Sequence, residues 1–215
     1  MARGEIYPRK TKSRKEKPIV LIVPEGTVTE KAYFMHFNSR EKPVKVEIIE
    51  NTGRGAKTDY ASLVEKALKY KTKNLLSASK GDSVWIVADG DVDYNTPGAL
   101  EKKQKALEKA RAAAEANDAV ILISNPCFEL WYYLHGDYST AFMKDYQAVK
   151  EKLLSFLPDY DKNRDVYDLL YDRTDAAVER AKRLESFHLE NGEDKPFKLT
   201  VNPYTEIYRL VEKIK

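Results

Sequence analysis

Asp89, Asp91 and Asp93 stand two residues apart at the end of Val84-Trp85-Ile86-Val87-Ala88, an apolar run of strand length. Carboxylates at that spacing repel one another and raise each other's proton affinity, a cost offset when a divalent cation supplies positive charge. Hard oxygen donors suit Mg²⁺ or Mn²⁺. Such an ion activates water for attack on a phosphate ester. Glu25 is a further candidate, because it follows the apolar run Ile19 to Pro24 and precedes a helix start. In one parallel sheet it would reach the edge that carries Asp89 and Asp91, where ligands bind in open α/β folds. Glu129 lies among Phe128, Leu130 and Trp131, one turn beyond a fourth apolar run. Its plainer role is a first-turn glutamate favoured by the helix dipole, and that reading stands beside a catalytic one.

The elements that must position these groups follow from apolar patterning. Continuous runs at Ile19–Val23, Val84–Ala88 and Ala119–Ile123 suit strands buried on both faces, and alternation over 44–50 marks another. Thr27-Val28-Thr29-Glu30 has capping-box spacing and predicts a helix through Tyr33, Phe34 and Phe37. Further helices are expected from about Asp59 to Lys71 and from Ala99 to about Ala116, the latter with a charged face read as solvated. Asn125 or Ser124 is placed to cap a helix with Pro126 at its first position. Residues 144–157 and 175–190 carry helical patterns, the polar, tyrosine-rich 159–172 reads as helix or loop, and Asn202-Pro203 is expected to cap a last helix over 204–214. The sum is an α/β fold: an open, mostly parallel four-stranded sheet flanked by helices, with a helical C-terminal extension. The expected divisions are a basic flexible tail at 1–17, the α/β core at 18–136 and the extension at 137–215.

Charge is distributed unevenly. Of 37 Lys/Arg and 34 Asp/Glu in 215 residues, residues 1–18 hold seven and two, leaving 30 basic against 32 acidic residues elsewhere. Arg9, Lys10, Arg14 and Lys15 in that tail suit nucleic-acid phosphates through counterion release; a solubilising arm accounts for them equally well. Arg54 and Lys57, in a Gly-rich loop without a Walker or dinucleotide fingerprint, are read as loop chemistry first and a phosphate contact second. Cys127 is the single cysteine, so an intramolecular disulfide and a cysteine-based zinc site are excluded, and a small buried side chain is expected there. His36, His135 and His188 read as surface or packing residues. No apolar run is long enough to span a bilayer or to form a secretory leader, so a cytoplasmic location without membrane attachment is expected.

Val23-Pro24-Glu25-Gly26 with Thr29-Glu30, Asp89-Gly90-Asp91, Ser124-Asn125-Pro126-Cys127-Phe128-Glu129-Leu130-Trp131 and Val201-Asn202-Pro203 resemble the hallmarks of the RloB-like family. The alternating order with Glu-Gly after the first strand and Asp-x-Asp after the third also resembles the Toprim fold of topoisomerases, primases and OLD-type nucleases. The resemblance covers about residues 18–212. It implies that Glu25, Asp89 and Asp91 hold metal, that Asp93 extends the set, and that Glu129 completes a second metal position. Members occur near bacterial restriction and abortive-infection genes, which implies phage defence and a partner protein encoded nearby. One departure is Val92-Asp93-Tyr94-Asn95, where many relatives place a histidine.

The leading expectation is therefore a metal-dependent phosphodiesterase acting on DNA or RNA. A non-catalytic defence component, binding nucleic acid or a partner around a structural metal, is the alternative. Nucleotide or phosphomonoester chemistry on the same carboxylates is a third reading. None of the 14 tyrosines sits in a motif that nominates it as a nucleophile.

Overall fold

The apolar runs become parallel strands whose carboxyl ends finish side by side. The computed structural model describes residues 16–50 and 57–215. β1 (Ile19–Pro24), β2 (Lys45–Ile48), β3 (Ser83–Asp89) and β4 (Ala119–Asn125) are joined by β5 (Tyr204–Thr205) in one sheet of order β2-β1-β3-β4-β5. All pairings are parallel except β4 with β5. Five strands therefore replace the expected four. The fifth is two residues long and carries no readable period. It is held on the edge of β4 because Ser124 Oγ and Thr205 Oγ1 share a hydrogen bond of 2.6 Å, and Glu206 N–H donates to Ile123 O at 2.9 Å.

Alternate residues of β1 enter opposite layers. Val20 and Ile22 pack with α1 (Thr29–Met35), α4 (Glu129–Gly136), α5 (Tyr146–Leu153), α7 (Thr174–Glu190) and α8 (Ile207–Ile214). Leu21 and Val23 pack with α2 (Tyr60–Lys73) and α3 (Ala99–Glu115) on the other face. The first layer is strongly aromatic. Trp131 is fully buried beside Tyr33, whose ring meets it edge-on at 6.3 Å. Much of that layer comes from residues beyond 137, with α6 (Tyr167–Leu170) adding Tyr167 and Leu170. The C-terminal segment thus completes the core as well as the sheet.

Two capping expectations fail. α1 starts at Thr29 with no side-chain cap, and Glu30 accepts from Gly26 N–H (3.1 Å) one residue before the position a capping box requires. Asn125 and Ser124 end β4 instead of capping α4, and Asn125 Nδ2 donates to Leu199 O and Val201 O. The last helix starts at Ile207, since Tyr204 and Thr205 belong to the sheet. The helix expected from Asp59 is present, with the Asp59 carboxylate accepting from Ser62 N–H at its start. Segment 159–172 is loop up to α6, followed by a short 3₁₀ turn at Tyr171–Arg173.

Candidate functional site

The order 2-1-3-4 changes direction between β1 and β3, and a crevice opens at such a point outside the carboxyl ends of the strands. Glu25 follows β1 directly and Asp89 ends β3. They are locked together: Glu25 N–H donates to Val87 O at 2.8 Å, and Glu25 Oε2 accepts from Asp89 N–H at 2.9 Å. Glu129, the first residue of α4, is buried within the same cavity, and so is Glu30. The cavity measures about 480 Å³.

Two glycines make this approach possible. A Cβ on Gly26 would stand 2.3 Å from Glu30 Oε2, so only glycine lets that carboxylate lie against the β1–α1 turn. A Cβ on Gly90 would stand 2.3 Å from Asn125 Oδ1. Here the chain after β3 runs against β4, with Gly90 N–H on Ser124 O and Asp91 N–H on Pro126 O.

The carboxylates are short of positive charge. Burial pushes Asp89 well above the ordinary range, and Glu30, Glu25 and Glu129 add to the effect while Lys162 opposes it. Glu30 is raised to about 7, mainly by burial and then by Glu129 and Glu25. Burial also raises Glu25, against the Asp89 N–H and Lys103. Asp89 Oδ1 is shut off from solvent without a hydrogen-bond partner. Among the described residues Lys162 is the cation lining this cavity, and its ammonium lies 3.5 Å from Glu129 Oε1 and 4.0 Å over the Tyr146 ring. Burial works against that ammonium, but Glu129, Cys127 and Asp89 outweigh it and raise its pKa. Tyr160 O–H donates to Glu129 Oε1 at 3.1 Å, and Thr29 Oγ1 donates to Lys162 O at 3.3 Å, tying this loop to α1.

The sequence candidates separate on this geometry. Glu25, Asp89 and Glu129 come together. Asp91, with φ +33°, turns away from the strand: its side chain is 77% exposed and lies 3.9 Å from Lys103 Nζ, in a neighbouring groove that Glu25 also lines. Asp93 is exposed and holds its own turn, accepting from Asn95 N–H and Thr96 Oγ1, contacts that lower its pKa. Lys57 is exposed beside Thr58, which lines both cavities. Arg9, Lys10, Arg14, Lys15 and Arg54 lie outside the described residues. Cys127 is buried as expected, His135 and His188 are packing residues, and His36 meets Asp165 at 2.7 Å.

Sequence reasoning missed Glu30, Tyr160 and Lys162. Glu30 had a signal, a second glutamate one turn after Glu-Gly, but a capping motif explained it. Lys162 had none, being brought in by tertiary packing.

Hard oxygen donors around an unpartnered buried carboxylate oxygen fit Mg²⁺ or Mn²⁺ in type. Among the described residues no three His, Cys, Asp or Glu side chains are gathered closely enough to hold one ion as they stand. A cation therefore requires these side chains to converge, with Lys162 displaced from part of its contact.

An open, mostly parallel α/β sheet with acidic side chains at its switch-point crevice defines the class of protein. The chain belongs to the RloB-like protein family, whose model matches residues 20–214. Comparison with curated proteins and with solved structures returned no match. Among the described residues, no helix is long and apolar enough to cross a membrane.

Proposed function

We propose that this protein is a metal-dependent phosphodiesterase of nucleic acid, built on a Toprim-like core related to OLD-type nucleases and serving bacterial phage defence. The observation that carries the reading is the set of Glu25, Asp89, Glu30 and Glu129 around a partnerless buried oxygen at the β1–β3 switch point. Glu25 and Asp89, placed by adjacent strand ends, would hold Mg²⁺ or Mn²⁺ with Glu129, and the bound ion would supply Lewis acidity toward a phosphate oxygen.

The chain's own residues divide the remaining work. Glu30, with a pKa of about 7, is suited to take a proton from water near neutral pH. The Lys162 ammonium is placed to balance charge on a phosphate oxygen once it leaves Glu129. Tyr160 keeps Glu129 oriented through its hydroxyl. Main-chain hydrogen bonding of Glu25 and Gly26 keeps the crevice in one shape before substrate arrives.

The alternative, a binding component without catalysis, is favoured by one observation: Lys162 already supplies a counter-charge inside the cluster. The two readings separate when mixed DNA and RNA are incubated with the full chain in Mg²⁺ and in Mn²⁺. Cutting that disappears in Asp89→Ala, with the fold intact by circular dichroism, supports the phosphodiesterase. Intact substrate with wild type, under conditions where metal binds, overturns it.

A further inference from the structure

Glu25 has a second cavity on its other side. It measures about 690 Å³ and is lined by the start of α2 and by one face of α3, including Lys102, Lys103, Lys105 and Lys109. The charged face of α3 was expected to be merely solvated, but its charges are sorted. The helix's acids, Glu101, Glu108 and Glu115, are not among the residues lining this groove; Glu108 accepts from Gln104 Nε2, and Gln104 Oε1 accepts from Leu199 N–H. Lys102, Lys105 and Lys109 make no ion pair among the described residues, while Lys103 Nζ donates to Asp91 O at 2.7 Å and stands 5.6 Å over the Tyr60 ring. Asp59, the remaining acid of the lining, is engaged by Ser62 N–H and Oγ.

Spacing gives the row a natural occupant. Lys102, Lys105 and Lys109 follow one helix face, and at ~1.5 Å per residue the row spans about 10 Å. A nucleic-acid strand carries one charged phosphate per nucleotide, so a row of this length meets more than one of them. Glu25 lines the same groove as the row and, together with Thr58, also lines the carboxylate cavity. A chain of phosphates lying on the lysines therefore leads directly to the acidic crevice. Lysines at such a surface act as point charges that fix the register of a backbone and read no bases.

We propose that the α3 groove is the track that holds the phosphodiester backbone of a nucleic-acid strand as it enters the carboxylate cavity, with Lys102, Lys105 and Lys109 as its phosphate contacts. The assignment rests on the phosphodiesterase reading for its destination, and on the sorted, unpaired lysines for its occupant. Alanine favours helix more than lysine does, so removing the three charges leaves α3 formed.

The test is binding of fluorescently labelled single-stranded DNA and RNA to the full chain in EDTA, where no cutting occurs, over a range of salt. The variant K102A/K105A/K109A is compared with K69A/K198A/K213A, which removes the same charge from exposed lysines lining neither cavity. The basic residues of 1–18 are common to both. The track variant is expected to bind about tenfold or more weakly than the control, with a smaller log–log salt slope, since each single-strand phosphate contact contributes about 0.7. Equal affinity and slope in the two variants overturn the proposal, as does a wild type that binds neither oligonucleotide. Oligonucleotides held through these lysines but never cut with Mg²⁺ or Mn²⁺ sustain the track and overturn only the phosphodiesterase reading. Preference for RNA or DNA in the same titrations identifies the strand.

Discussion

The two cavities that meet at Glu25 treat charge in opposite ways. On one side Asp89, Glu30 and Glu129 are withdrawn from water, with Lys162 as the lysine among the described lining residues. On the other, Lys102, Lys105 and Lys109 stand in solvent, while the exposed acids Asp59 and Asp91 are engaged by Ser62 and Lys103. In the first cavity burial raises the pKa values of Asp89 and Glu30; desolvated charge of that kind binds a counter-ion strongly and is costly to leave alone. In the second, the charges are screened, adjustable and cheap to keep. On the proposed function, chemistry would fall on the buried side and substrate holding on the exposed side. Asp89 and Asp91, only two residues apart, fall one on each side because the backbone turns at Gly90-Asp91.

The widest gap should separate those two aspartates. Asp89→Asn keeps shape and removes the charge; a metal-dependent cleavage rate roughly 10²–10³ lower is expected, the usual loss when a preorganised electrostatic group is removed. Asp91→Asn should cost less than about tenfold, since its carboxylate faces Lys103 and solvent. Rates measured side by side on one oligonucleotide decide this, and equal losses would erase the distinction between the cavities.

A second prediction concerns pH. Glu30 is raised from 4.5 to about 7 in the fold, so the folded state holds its proton more tightly than the unfolded state. The stability this confers is fully present below about pH 4.5 and is lost as pH rises through about 7. Melting temperatures of the metal-free protein should include a decline across that window, and Glu30→Gln should flatten it. Gly26→Ala should also alter it by displacing the Glu30 carboxylate. An unchanged pH profile in Glu30→Gln would mean that Glu30 is solvated in the folded state.

Smaller effects follow from Lys162 and Asp93. Lys162→Met removes the cation that opposes protonation of Asp89, so the cluster should titrate at still higher pH, and half-maximal cutting should move upward with it. Asp93→Ala should leave cutting unchanged, because its exposed carboxylate holds Asn95 and Thr96 of its own turn.

Much of the frame was legible because parallel strands buried on both faces write continuous apolar runs, and β1, β3 and β4 each do. The convergence of Glu25 and Asp89 followed from their places at strand ends. β5 escaped because two residues have no periodicity, and its pairing is set by Thr205 and Glu206 against β4. The separation of Asp91 from Asp89 escaped because spacing two apart reads as one face only while the strand continues, and β3 stops at Asp89. Lys162 escaped for a different reason: it reaches Glu129 across 33 positions of sequence, through a loop without regular structure.

Whether the buried carboxylates hold a metal is decided by calorimetric titration of Mn²⁺ into wild type, Asp89→Asn and Asp91→Asn at pH 8, where Glu30 is largely ionised. Binding by wild type is expected, with at least about tenfold weaker binding by Asp89→Asn, in line with the loss of a ligand or its close support, and near-normal binding by Asp91→Asn. Absence of binding by wild type, or binding that survives in Asp89→Asn and vanishes in Asp91→Asn, would contradict it.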